Sequence, residues 1–326
     1  MYRQIWLGIA FVAATLVNGA QAQDFPTRPI TLVVSFAPGG LTDVPARFLA
    51  AEMRERIGQS IIVENKPGAS GINGGTSVWR ARADGYTLLV NAISEVQNLH
   101  YLNVPYNAII DFAQIGKIAE GPDLVLIVNS NSPYKSVSDL IADAKANPTK
   151  INFATSGPAT SPAIAVLQLN ALAGTTIVPV SYRGTAPAAA AVLSGDVQGA
   201  FVFYPSAKSL ADGGKVRILA IASPARPAYL PNTPTMAELG FKNFVHSAFV
   251  GLAAPRDTPP KIVAILNKYL NETLNSPSFR KLIEPLGMTV PSQPNTPETY
   301  AKFLTVETAF QAELAKLSGP AHLKTK

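Results

Sequence analysis

ITLVVSFAPGGLTDVPARFLAAEMRERIGQSIIVENKPGASGINGGTSVWRARADGYTLLVNA, residues 30–92, decides the fold class. It opens on Ile30–Phe36, a continuously apolar, β-branched run between Pro29 and Pro38, which reads as a strand buried on both faces. Asp43 to Ile57 follows with Ala46, Leu49, Ala50, Met53 and Ile57 at helical spacing. Gly58 stands where a helix ends on a left-handed residue. Ser60–Asn65 reads as a second strand, Pro67–Gly75 as a loop, Thr76–Ala83 as a helix and Tyr86–Ala92 as a third strand. This βαβαβ order predicts a parallel α/β sheet.

The alternation continues downstream. Strands are expected at Asp123–Asn129, Ile151–Ser156, Thr175–Tyr182, Gly199–Tyr204, Arg217–Ser223 and Ala248–Pro255. Ser136 and Asp139 form a capping box that opens a helix running through Ala146. Further helices are expected at Pro162–Ala173, Ala186–Leu193, Pro259–Leu274, Pro277–Leu286 and Pro297–Leu317, each with a residue suited to a helix start. Upstream, Arg3, the apolar run Ile5–Val17 and Ala20-Gln21-Ala22 read as a secretory signal peptide over residues 1–22. An exported chain follows from that reading.

Composition narrows the chemistry. The 326 residues include no cysteine and three histidines, so disulfides, thiolate nucleophiles and iron–sulfur clusters are excluded. Charged residues make up 15%, well below the roughly 25% of an average soluble chain. His100, His246 and His322 show no metal-binding spacing, so no metal site and no cofactor is expected. Neither a phosphate-binding GxxxxGK[ST] nor a GxGxxG is present. The basic residues are dispersed, which argues against a nucleic-acid partner. Gly68-Ala69-Ser70-Gly71 lacks the glycine that a nucleophile elbow places two residues after its serine.

Three loops share one design. Ala37–Asp43 (APGGLTD), Ser156–Ser161 (SGPATS) and Tyr182–Pro187 (YRGTAP) each join a strand to a helix and set glycine and a small hydroxyl residue just before it. The first N–H groups of a helix lack intrahelical partners and carry positive partial charge. Glycine lets a ligand come close to that backbone. A bound carboxylate or another oxyanion suits the combination, and ligands of open α/β sheets sit beyond the carboxyl ends of the strands. Ordinary helix capping accounts for the same residues equally well.

Read together, FPTRPITLVVSFAPGGLTDVPAR (Phe25–Arg47), VENKPGASGINGG (Val63–Gly75), ADGYTLL (Ala83–Leu89), SYRGTAPAAAAVLSGDV (Ser181–Val197), LPNTPTMAELG (Leu230–Gly240) and GLAAPRDTP (Gly251–Pro259) resemble the extracytoplasmic receptors of tripartite tricarboxylate transporters, the TctC/Bug family. The resemblance implies an α/β, two-lobed type II periplasmic-binding-protein fold with a ligand cleft between the lobes. It implies residues 23–124 plus 249–326 as one lobe and 125–248 as the other. It implies a monomeric periplasmic receptor, with no catalytic residues, that hands a small aliphatic or aromatic mono- or dicarboxylate to membrane permease subunits. A receptor feeding a membrane sensor and an exported hydrolase are the alternatives. The expected ligand-binding set is Phe36, Gly39, Gly40, Leu41, Thr42, Asp43, Asn91, Ser156, Gly157, Thr160, Ser161, Tyr182, Gly184, Thr185, Ala186, Phe203 and Tyr204. Backbone N–H groups of residues 40–43 would hold one carboxylate oxygen, with residues 184–186 facing them. Phe36, Phe203 and Tyr204 would make the far end apolar, favouring a plain carboxylate over an amino acid.

Overall fold

A computed structural model describes residues 25–317. The expected signal peptide, 1–22, and His322 lie outside the described residues. The strands are β1 (Ile30–Val34), β2 (Ile61–Asn65), β3 (Thr87–Ala92), β4 (Phe112–Asn129), β5 (Asn152–Thr155), β6 (Val178–Ser181), β7 (Gly199–Phe203), β8 (Val216–Ile221) and β9 (Ser247–Pro255). The helices are α1 (Asp43–Ile57), α2 (Ile72–Trp79), α3 (Ile93–Tyr101), α4 (Val137–Ala146), α5 (Ser161–Ala173), α6 (Thr185–Ser194), α7 (Tyr204–Asp212), α8 (Pro260–Leu274), α9 (Pro277–Ile283) and α10 (Pro297–Leu317).

The sheet runs β2-β1-β3-β9-β4-β7-β5-β6, with β8 also on β4. Two parallel wings emerge from it. β1 pairs in parallel with β2 and β3, and β5 pairs in parallel with β6 and β7. Two antiparallel strands join them: β9 pairs with β3 and with the first half of β4, and Leu124–Asn129 of β4 turns to β7 and β8. The β4–β9 ladder ends at Asp123 opposite Ser247, where the chain passes from one wing to the other. The result is the two-lobed α/β fold expected of a periplasmic binding protein.

Helix α1 shows how sequence makes an element here. Asp43 sits in its first turn and Arg54 and Arg56 in its last, as the helix dipole favours. Gly58 closes it at φ 73°. Its apolar face buries Ala46, Leu49, Ala50 and Met53 against β1, β2 and α8. Burial of a leucine of this kind contributes roughly 1.5–3 kcal/mol. In the second wing, Phe153, Phe201, Val166 and Leu169 are fully buried, with Phe201 stacked on Phe244 at 5.5 Å.

Four elements differ from the sequence reading. The stretch 67–75 is not all loop: α2 starts at Ile72 and takes in Gly74 and Gly75. A Cβ on Gly74 would lie 2.7 Å from Ser35 Cα, and one on Gly75 would meet Tyr106 Oη. Helix α2 therefore passes Ser35 and Tyr106 too closely for any larger residue, so these glycines serve packing. Helix α3 follows β3 directly where no element was expected. Strand β4 begins at Phe112, eleven residues before the expected start, and accommodates Gly116 and Gly121 through three register shifts against β9. Tyr204 opens α7, with Pro205 in its first turn, and does not end a strand.

Candidate functional site

The three loops singled out in the sequence leave the carboxyl ends of β1, β5 and β6, so the two parallel wings aim them at the same space. They meet. Ala37 N–H donates to Arg183 O at 3.0 Å, bridging the first loop to the third. A Cβ on Gly40 would lie 3.3 Å from Thr185 Oγ1. Between them lies a cavity lined by Phe36, Gly40, Leu41, Thr42, Ile93, Ser94, Gln97, Ser156, Thr160, Ser161, Thr185 and Phe203. Water centres can occupy only about 20 Å³ of it. One or two waters fill such a space, so a ligand of several heavy atoms enters only when the walls part.

Nine of the expected residues line this cavity, and eight stand behind it. Gly39 donates its N–H to Asp43 Oδ2 at 2.9 Å. The Asp43 carboxylate also accepts from Arg47 Nε at 2.9 Å and Asn65 Nδ2 at 2.8 Å. Burial opposes its ionisation, but the hydrogen bonds from Arg47, Gly39 and Asn65 outweigh that and hold the carboxyl below its usual range. Asp43 thus ties the loop down. Asn91 faces away, accepting from Tyr300 Oη at 2.8 Å. Gly157, at φ 132°, lets its loop pass Ser70, whose Oγ would lie 2.5 Å from an added Cβ. Tyr182 N–H bonds Thr155 O, Gly184 precedes α6 and Ala186 is in its first turn. Tyr204 packs on Tyr229 with ring centroids 4.8 Å apart.

The helix starts at the cavity share a local feature. Thr42, Thr160 and Gly184 precede α1, α5 and α6, and none supplies a side-chain cap. Two of them could. Thr42 is 1% exposed, yet its Oγ1 has no hydrogen-bond partner. The Thr160 hydroxyl instead donates to Gly157 O at 2.8 Å and accepts from Ser156 Oγ at 3.0 Å. Thr185 Oγ1 lies 2.8 Å from Ser206 Oγ. The free backbone N–H groups of these first turns therefore receive no side-chain acceptor from the residue before the helix, which suits an oxyanion.

Helix α3 adds Ile93, Ser94 and Gln97, which the sequence reading missed. Its start is closed from within: Glu95 Oε2 accepts from Ala92 N–H and from Ser94 Oγ, both at 2.9 Å. Glu95 is fully buried, and burial pushes its carboxyl up to about 7 against the pull of those two bonds. Ser-Glu just after a strand was the available signal, read there without a glycine or proline to mark a boundary.

No charged side chain lines the cavity. Ser161 bonds Gln97 and no base. His246 Nε2 lies 2.7 Å from Gln168 Oε1, and burial lowers its pKa to about 4. Among the described residues no group of three or more His, Asp or Glu is placed to hold a metal. Carboxylate capture by backbone dipoles is the chemistry this arrangement supports.

Residues 45–316 match the family described as Tripartite tricarboxylate transporter family receptor, TctC. Protein BugT of Bordetella pertussis is 34% identical over 286 residues, 87% of this chain and 87% of that one. A protein from the tcbD-tcbE intergenic region of a Pseudomonas species is 35% identical over 309 residues, 94% of this chain and 91% of its own. Among solved structures, the periplasmic binding protein BugD matches with a TM-score of 0.86 at 32% identity, covering 90% of this chain and 99% of that one. MatC from Rhodopseudomonas palustris, with bound malate, matches with a TM-score of 0.84 at 31% identity, covering 89% and 100%. A further R. palustris protein, with adipate, matches with a TM-score of 0.85 at 30% identity, covering 91% and 99%.

Proposed function

The chain belongs to the tripartite tricarboxylate transporter receptor family, and from that premise we propose that it is an exported receptor that captures a small carboxylate and delivers it to membrane permease subunits. The observation that carries this reading is the meeting of three uncapped helix starts, drawn from both wings, in one cavity with no charged side chain. The malate and adipate held by two similar proteins support the ligand class. In this reading residues 23–124 with 249–326 form one lobe and 125–248 the other. The chain crosses between them at Asp123 on β4 and Ser247 on β9.

The carboxylate bridges the lobes. N–H groups of residues 40–43 hold one oxygen, the α6 start faces them, and Thr42 Oγ1 donates directly or through water. Because the ligand touches both lobes only when they are together, it stabilises the closed state by its differential affinity. Phe36 and Phe203 cover its carbon chain.

Protein stripped of co-purifying small molecules and screened by thermal unfolding against mono- and dicarboxylates tests this. A ligand present at 100 times its Kd adds about 2.7 kcal/mol to unfolding, which raises Tm by several degrees. A flat response across the panel refutes the reading. Mass spectrometry of what leaves the native protein on unfolding identifies the physiological acid.

A further inference from the structure

The hydrogen-bond inventory of the α3 wall says what the other end of the ligand must offer. A chain of bonds enters the cavity from α10 with its direction fixed at the outside. Glu307 Oε1 accepts from Gln311 Nε2 at 2.8 Å. A carboxylate oxygen accepts and the amide NH2 donates, so the Gln311 amide points its NH2 at Glu307 and its carbonyl inward. That carbonyl takes a hydrogen from Gln97 Nε2 at 3.3 Å. The second Gln97 N–H goes to Ser161 Oγ at 2.9 Å. Gln97 has two amide hydrogens, and both are used. What it can still present to the cavity is the carbonyl Oε1, which has a lone pair to spare even when Ser161 donates to it.

Ser94 reaches the same state by another route. Its single hydroxyl hydrogen is spent on Glu95 Oε2 at 2.9 Å, so only lone pairs remain. Both polar side chains that α3 contributes to the cavity, Ser94 and Gln97, are therefore acceptors toward a ligand. The lining carries no cation to balance a second carboxylate and no carboxylate to balance an ammonium.

We infer that the ligand is a monocarboxylate whose far end carries a neutral hydrogen-bond donor, a hydroxyl or an amide N–H, received by Gln97 Oε1 and Ser94 Oγ. The inference rests on the carboxylate reading above and narrows it. A carboxylate at the far end brings only acceptors to a wall of acceptors, and leaving such groups unpaired in a closed cavity is costly. Gln311 and Glu307 act as positioning residues: they never touch the ligand but decide which face of the Gln97 amide it meets.

The test uses matched acids of four, five and six carbons in four versions: plain monocarboxylate, ω-hydroxy acid, dicarboxylate and ω-amino acid. Affinities for ligand-free protein are measured by calorimetry at pH 7.5. The expected result, at the best-fitting length, is the hydroxy acid at least tenfold tighter than the other three. Gln97→Met should bring the ratio of hydroxy to plain acid close to one. Gln311→Met frees a Gln97 N–H and should move the ratio of dicarboxylate to hydroxy acid upward by severalfold, a change that loss of packing alone does not produce. A dicarboxylate or amino acid that equals or beats the hydroxy acid overturns the inference, as does a hydroxy preference that survives Gln97→Met. If none of the acids binds at any length, the carboxylate reading itself has failed, and that outcome is distinct from the others.

Discussion

Two sets of helix starts in this protein use the same residue types in opposite ways. Away from the cleft, exposed Ser136 accepts from Asp139 N–H at 3.1 Å and the Asp139 carboxylate accepts from Ser136 N–H at 2.9 Å, while buried Ser276 accepts from Phe279 N–H at 3.2 Å. These hydroxyls complete α4 and α9. In the cleft, Thr42 and Thr160 occupy equivalent positions before α1 and α5 and cap nothing. A side-chain cap of this kind stabilises the helix that carries it. A helix start left uncapped in a cleft forgoes that contribution of about 1 kcal/mol and keeps its N–H groups for a ligand. Helix α3 stands between the two cases: it faces the cavity but is capped from inside by Glu95, so it offers acceptors where its neighbours offer donors.

The contrast can be broken most severely at Gly40. Gly40→Val places a branched side chain 3.3 Å from Thr185 Oγ1, where the backbone should meet the carboxylate. Carboxylate affinity measured by calorimetry should fall more than 100-fold while circular dichroism keeps its native form. Retained affinity would take the α1 start out of the site.

Glu95→Gln comes next. The folded protein holds a proton on Glu95 up to about pH 7, whereas the unfolded chain releases it near 4.5. The stability contributed by neutral Glu95 is therefore full below about pH 4.5, declines as pH rises and is gone above 7. The glutamine variant should be more stable than the parent by about 3 kcal/mol at pH 8 and equal to it at pH 4. Denaturant unfolding at the two pH values decides this, and a variant with an unchanged pH profile would mean that Glu95 titrates normally.

The smallest and sharpest comparison pairs Ser136→Ala with Thr42→Val. The first should cost about 1 kcal/mol of unfolding free energy and leave ligand affinity unaltered. The second should leave the unliganded protein as stable as the parent, because its hydroxyl has no partner, and weaken carboxylate binding by about tenfold. Reversal of either half would erase the distinction between the two kinds of helix start.

The three loops were legible because glycine and hydroxyl residues before a helix are local signals, and the parallel βαβ order dictates which end of the sheet they occupy. Whether Thr42 caps or waits for a ligand was not legible, since only the surrounding fold decides it. Helix α3 escaped because the residues it buries are polar: Glu95, Gln97 and Asn98 are 2% exposed or less, so the apolar periodicity that reveals α1 is absent. The first half of β4 was hidden by Gly116, Lys117 and Gly121, which weaken a strand on paper and are absorbed here by register shifts and by Lys117 bonding Glu120 at 2.6 Å. Asp43 and Asn91 are polar groups beside the cleft that the fold turns to internal hydrogen bonds.

Strand β4 has a bearing on how the molecule fails. Its 18 residues supply a ladder to β9 on one side of Asp123 and to β7 and β8 on the other. Neither wing can melt without stripping a strand from its partner, so the two wings are thermodynamically one unit. Heating should give a single calorimetric transition whose van't Hoff and calorimetric enthalpies agree. A chain severed at the crossing would have two unfinished sheet edges in place of two domains.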